Sequence, residues 1–93
     1  MKNNTYLEEL EEIKKELIIL KNSFIELQKE TPFIKEAIKN QQYDLAAKQQ
    51  VKQRELYNKL KIVQIQYNSI KRVAEIEYRN EIGEIELLIN WFL

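Results

Sequence analysis

The sequence predicts an all-α protein, an antiparallel helical hairpin or small bundle with one long helix. Three observations carry this expectation. The 93 residues include one glycine and one proline, so few positions interrupt a helix. Apolar residues recur at alternating three- and four-residue spacing along most of the chain, which marks one face of a 3.6-residue period. Hydrophobic residues make up 44% and charged residues 32%, enough for a core with solvated outer faces and unlike a disordered tail. A chain of this length predicts a single domain, 1–93, near the size at which one core is marginally stable.

The first helix is expected over about 5–30. Leu10, Ile13, Leu17, Leu20, Phe24 and Leu27 line one face, and Ile18, Ile19 and Ile25 widen it. Glu8, Glu9, Glu11 and Glu12 fill the first turns, where negative charge complements the positive end of the helix dipole. Thr31-Pro32 then reads as a corner spanning 31–33. Threonine can cap a helix, and proline suits the first helical position. Proline also pushes the residue before it out of the helical region.

Residues 33–92 are expected to be helical, with breaks near 40–44 and 68–69. The polar run KNQQYD places the first break, with Asp44 as the cap of a new helix at Leu45; Asn68-Ser69 places the second. From Leu56 onward, Leu60, Val63, Tyr67, Ile70, Ala74, Tyr78, Ile82, Ile85, Ile89 and Phe92 follow a 3.6-residue period. The alternative for this end is an α+β fold with a C-terminal β-hairpin near 73–91. Ala74, Ile76 and Tyr78 alternate, as do Ile85, Leu87, Ile89 and Trp91, with Gly83 in the loop between them. Against it, Glu77 would face Glu86 across the strands.

The charges fall in blocks. Residues 1–34 carry five lysines against seven glutamates, net −2; residues 35–72 carry nine basic against three acidic residues, net +6; residues 73–93 carry one arginine against five glutamates, net −4. A reversal at Thr31-Pro32 sets Glu8, Glu9, Glu11, Glu12 and Glu16 beside Lys48, Lys52, Arg54 and Lys59, so the basic middle answers the acidic start. It also leaves Val63–Leu93 without cover from the first arm. Either the chain bends and packs this segment back as a third helix or hairpin, or another chain covers it. On the second reading Ile85, Leu88, Ile89, Trp91 and Phe92 form a protein interface, since aromatic anchors are favoured there.

Chemistry is sparse. With no histidine and no cysteine, the usual general base, the nucleophilic triads and nearly all zinc sites are missing. No glycine-rich loop is present to cradle phosphate. The expectation is a protein that is not an enzyme, with no catalytic or metal residues and no cofactor. Lys48, Lys52, Arg54, Lys59, Lys61, Lys71 and Arg72 interleave with Tyr43, Tyr57 and Tyr67, which offers a surface for nucleic acid or an acidic partner. No apolar run approaches the roughly twenty residues that span a membrane. The start, MKNNTYLEELEE, turns acidic at once, so no signal peptide is expected. The expected location is the cytoplasm, the host cytoplasm if the chain is phage-encoded.

Thirteen isoleucines, twelve lysines, eight asparagines and five tyrosines fit an AT-rich genome. In size and composition, over the whole chain, the sequence resembles the small helical proteins that phages and mobile elements encode to block host defences, anti-CRISPR inhibitors among them. The resemblance assigns no residue. It implies stoichiometric binding to a larger nuclease complex such as a CRISPR effector, with no chemistry of its own. A structural or self-assembling coiled coil is the competing class, and nucleic-acid binding through 48–72 is the second alternative.

Overall fold

The first helix does not stop at Pro32. In the computed structural model, which describes residues 5–93, α1 runs Thr5–Lys39 with Pro32 inside it. Residues 1–4, which the expected domain includes, lie outside the described residues. The expected corner at 31–33 is therefore a correction. Proline in a helix interior removes one N–H bond, here to the carbonyl of Gln28, and typically costs about 3 kcal/mol. Both Pro32 and Gln28 face solvent, so water can take the released carbonyl. Beyond them, Ala37 is buried and Ile34 half-buried, which gives the continued helix a packed face.

The reversal comes at Asn40–Gln42. Gln41 N–H donates to the Ile38 carbonyl at 3.0 Å and Gln42 N–H to the Ala37 carbonyl at 2.8 Å. That bond pair, with Gln41 at φ 61°, is a Schellman termination built on a left-handed residue. Helix α2 then spans Tyr43–Ala74. Its N-cap is Gln42, without a side-chain cap bond, and Asp44 lies inside the first turn. The aspartate thus favours the helix dipole instead of capping it. The expected break at 68–69 is absent. Ser69 Oγ donates back to the Ile65 carbonyl at 2.9 Å, a bond that lets serine sit within a helix.

A four-residue turn at 75–78 separates α2 from α3, Arg79–Phe92. The β-hairpin alternative is overturned, since among the described residues there is no strand and Gly83 sits within α3. A pairing strand would need Ile85, Leu87, Ile89 and Trp91 on one face. The structure instead buries Ile82 and Ile85 and leaves Leu87 exposed on the far side. The helical face wins because it meets α1.

The three helices run up, down and up. Phe24 of α1 meets Tyr57 of α2 edge to face at 5.1 Å, which sets the hairpin register. Helix α3 lies parallel to α1: Lys14 pairs with Glu84, and Phe24 meets Phe92 at 5.5 Å. It packs chiefly on α1 and only slightly on α2. One core joins all three helices, from Leu10, Ile13, Leu17 and Leu20 through Leu60, Val63, Tyr67, Ile70 and Ala74 to Ile82 and Ile85. Full burial of side chains this size stabilises by about 1.5–3 kcal/mol each. The result is a rod, 62 × 17 × 16 Å.

Candidate functional site

The C-terminal residues expected to meet a partner are largely taken by the protein's own core. Ile85 is 1% exposed, and Leu88, Ile89 and Phe92 are partly buried against the same cluster. Trp91 keeps 39% of its surface in solvent. Its ring stands perpendicular to Phe92 at 5.0 Å, with Lys21 Nζ 5.3 Å from its centre. The five residues do come together, but as the seam that docks α3. Only the outer face of Trp91 remains for contact, together with exposed Leu87 and Leu93.

The basic stretch is exposed and divided. Lys48, Lys52, Arg54, Lys59, Lys61 and Arg72 all face solvent, and among the described residues none forms an ion pair. With the turn at Asn40–Gln42, the acidic start lies beside the far end of α2. Glu8, Glu9, Glu11 and Glu12 share a groove with Gln66, Ser69 and Ile70, so the expected pairing with Lys48, Lys52, Arg54 and Lys59 is a further correction. Helical spacing puts Lys48, Lys52 and Lys59 on one stripe and Arg54, Lys61 and Arg72 on another. Lys71 is different. Its Nζ lies 2.9 Å from Glu86 Oε1 and 5.8 Å from the Tyr67 ring centre. Of the interleaved tyrosines, Tyr67 is buried and Tyr57 is engaged with Phe24, which leaves Tyr43 open.

The surface that sequence reasoning missed is a two-helix arm. Helix α3 ends where Phe92 meets Phe24, so beyond that level α1 and α2 have only each other. Leu27 and Ala37 are buried there, and Gln49 Nε2 donates to the Leu27 carbonyl at 3.3 Å. Phe33 is 74% exposed, and Ile38, Tyr43, Leu45 and Val51 are exposed as well. The signal lay in Phe33, Ile34 and Ile38, apolar residues just past the proline that a short second helix did not account for. A second exposed apolar line runs along α2 through Ile62, Ile65, Val73 and Ile76. Scattered apolar residues are normal on a surface, whereas contiguous groups mark interaction sites.

Among the described residues no group of three or more histidine, cysteine, aspartate or glutamate side chains converges as a metal site would require. No helix among them is long and apolar enough to cross a membrane. Comparison with known families, curated proteins and solved structures finds no match to this chain.

Proposed function

We propose that this chain is a non-catalytic protein–protein interaction module and, within that class, a small inhibitor that binds a larger host-defence nuclease complex such as a CRISPR effector. One observation supports the class: the α1–α2 arm carries Phe33, Ile38, Tyr43, Leu45 and Val51 in solvent with no third helix over them. Burying one such side chain stabilises by about 1.5–3 kcal/mol, so a partner gains by covering several. The absence of histidine and cysteine supports a role without chemistry. The inhibitor reading draws on size and composition alone, and it carries the cytoplasm, the host's for a phage-encoded chain, as the working location.

Immobilised protein incubated with a bacterial lysate, followed by a DNA-cleavage assay on whatever nuclease complex is retained, tests this reading. Stoichiometric loss of cleavage, relieved by Ile38→Asp with Tyr43→Ala, is expected. Retention of no protein removes the interaction reading. Retention without any effect on cleavage removes the inhibitor reading alone.

Nucleic-acid binding has one observation in its favour, the six exposed cations of α2 that form no ion pair among the described residues. Their division between two stripes and the net charge of zero weaken it. Salt-dependent affinity for RNA or DNA that falls with Lys48→Glu and Lys52→Glu would support it.

A further inference from the structure

The α1–α2 hairpin has two flanks, and α3 covers one of them. Two grooves line the other. Glu8, Glu12, Lys15, Gln66 and Ser69 border the first, and Ile19, Glu26, Lys52, Glu55 and Leu56 border the second. No α3 residue lines either groove. On α1 this face reads Glu8, Glu12, Lys15, Ile19, Asn22, Glu26, Glu30, Phe33. On α2 it reads Lys48, Lys52, Glu55, Lys59, Ile62, Gln66, Ser69, Val73. Both lines keep the three- and four-residue spacing of one helix face.

Among the described residues no ion pair joins the two lines of this face within one chain, whereas between two copies its acidic and basic ends come together. Lys52 shares its groove with Glu26, Glu30 and Glu55 and lies about 25 Å along the rod from the Glu12 end at 1.5 Å per residue. Now consider a second copy turned end over end about an axis near Ile19 and Ile62. Its Lys48 and Lys52 come level with Glu8 and Glu12, and its Glu26 comes level with Lys15. Phe33 meets the level of Val73. Every pairing occurs twice, as an isologous contact requires. Ile19 and Ile62, 58% and 57% exposed, lie beside the axis, each within about 5 Å along the rod of its own counterpart. That axis lies near the midpoint of α1, so the register that matches charge also overlaps the two hairpins along nearly their full length.

We propose that this face binds a second copy of the chain, antiparallel, to form a four-helix core with each α3 on the outside. The face of a rod 62 Å long and 17 Å wide exceeds the roughly 800 Å² that each partner contributes to a stable complex. Like-charge contact disfavours the parallel arrangement, which sets Glu8 and Glu12 against their own copies. The proposal rests on the interaction-module reading and gives one face its occupant. Ile38, Tyr43 and Leu45 at the arm's tip are outside the two seams and remain for a different protein.

Charge-swapped variants test it, with mass read by light scattering after size exclusion and helix content by circular dichroism. The parent is expected at twice 11.3 kDa. Glu8→Lys with Glu12→Lys, and separately Lys48→Glu with Lys52→Glu, should each weaken self-association at least about tenfold while staying helical. Mixing the two variants should restore the dimer, because both contacts in the mixed pair are attractive. Ile19→Lys, beside the axis, should dissociate the pair by a different route. A parent that stays monomeric at every concentration overturns the proposal. So does a dimer indifferent to both charge swaps, or a mixture that fails to re-form. None of these outcomes bears on the nuclease reading, which the cleavage assay decides by itself.

Discussion

The Tyr67 hydroxyl donates a 2.8 Å hydrogen bond to Glu86 Oε1, joining the buried face of α2 to α3. Lys71 Nζ reaches the same oxygen at 2.9 Å. Helix α3 touches α2 at few other points, so this group fixes its rotation against the hairpin. Tyr67→Phe removes the bond and should destabilise the fold by about 1 kcal/mol, the usual net worth of one intramolecular hydrogen bond. Chemical denaturation of the two proteins measures it.

The same group sets a pH dependence. Burial, then the Glu86 carboxylate, holds the Tyr67 phenol well above its ordinary range. A raised folded-state pKa gives stability that is complete below the unfolded value, about 10, and is lost as pH climbs past it. Glu86 is held below the usual carboxylate range, first by its hydrogen bond to Lys71 and then by Tyr67. Its contribution is present above the ordinary carboxylate pKa and is lost as pH falls below it. Stability should therefore decline on both limbs. Tyr67→Phe should flatten the alkaline limb and Glu86→Gln the acid one, as read from melting temperature against pH.

Two backbone substitutions should stabilise. Gln41 holds φ 61° in the turn, a conformation that costs most L-residues about 1–2 kcal/mol and glycine almost nothing. Gln41→Gly should raise stability by roughly 1 kcal/mol. Pro32→Ala restores an N–H to the middle of α1 and should stabilise by up to about 3 kcal/mol. Loss of stability in Pro32→Ala would mean that the proline starts a helix, as its neighbour Thr31 suggests.

The C-terminal segment should behave as core. Ile85→Ala is expected to cost about 2–5 kcal/mol, while Leu87→Ala, on the exposed face of α3, should stay within about 0.5 kcal/mol. Trp91, the only tryptophan, reports docking of α3 directly. Phe24→Ala, which removes the ring between Tyr57 and Phe92, should red-shift its emission and increase its quenching by acrylamide. Equal effects of Ile85→Ala and Leu87→Ala would place the core elsewhere.

Much of this packing was legible in periodicity. Leu10, Ile13, Leu17, Leu20, Phe24 and Leu27 formed one stripe on paper, and all six are buried. The same holds for Leu60, Val63, Tyr67, Ile70, Ala74, Ile82 and Ile85. The break near 40–44 was legible in the polar run KNQQYD, and the chain turns at Asn40–Gln42. The straight path through Thr31-Pro32 and the turn at 75–78 were harder to see, for two physical reasons. Proline is acceptable both at a helix start and on a solvated helix face, so Thr31-Pro32 is ambiguous without knowing that Ala37 packs. The turn at 75–78 contains no glycine or proline, and the apolar stripe stays in phase across it from Ala74 through Tyr78 to Ile82, so no local signal marks it. An error of about nine residues in the reversal point then moved every cross-helix pairing. It matched acidic and basic blocks within the chain and hid the open flank and the arm.

The reversal at Asn40–Gln42 is the claim on which the open flank and the arm depend. The chain has no cysteine, so Glu26→Cys with Glu55→Cys takes two spin labels cleanly, and dilution with unlabelled protein suppresses signals between copies. Glu26 and Glu55 line one groove, and packed helices stand about 8–10 Å apart. Pulsed electron resonance should therefore give a single short distance, about 10–20 Å with the label arms included. A corner at Thr31-Pro32 would instead slide the two sites about eighteen residues apart along the hairpin, and a distance near 30 Å would contradict the account.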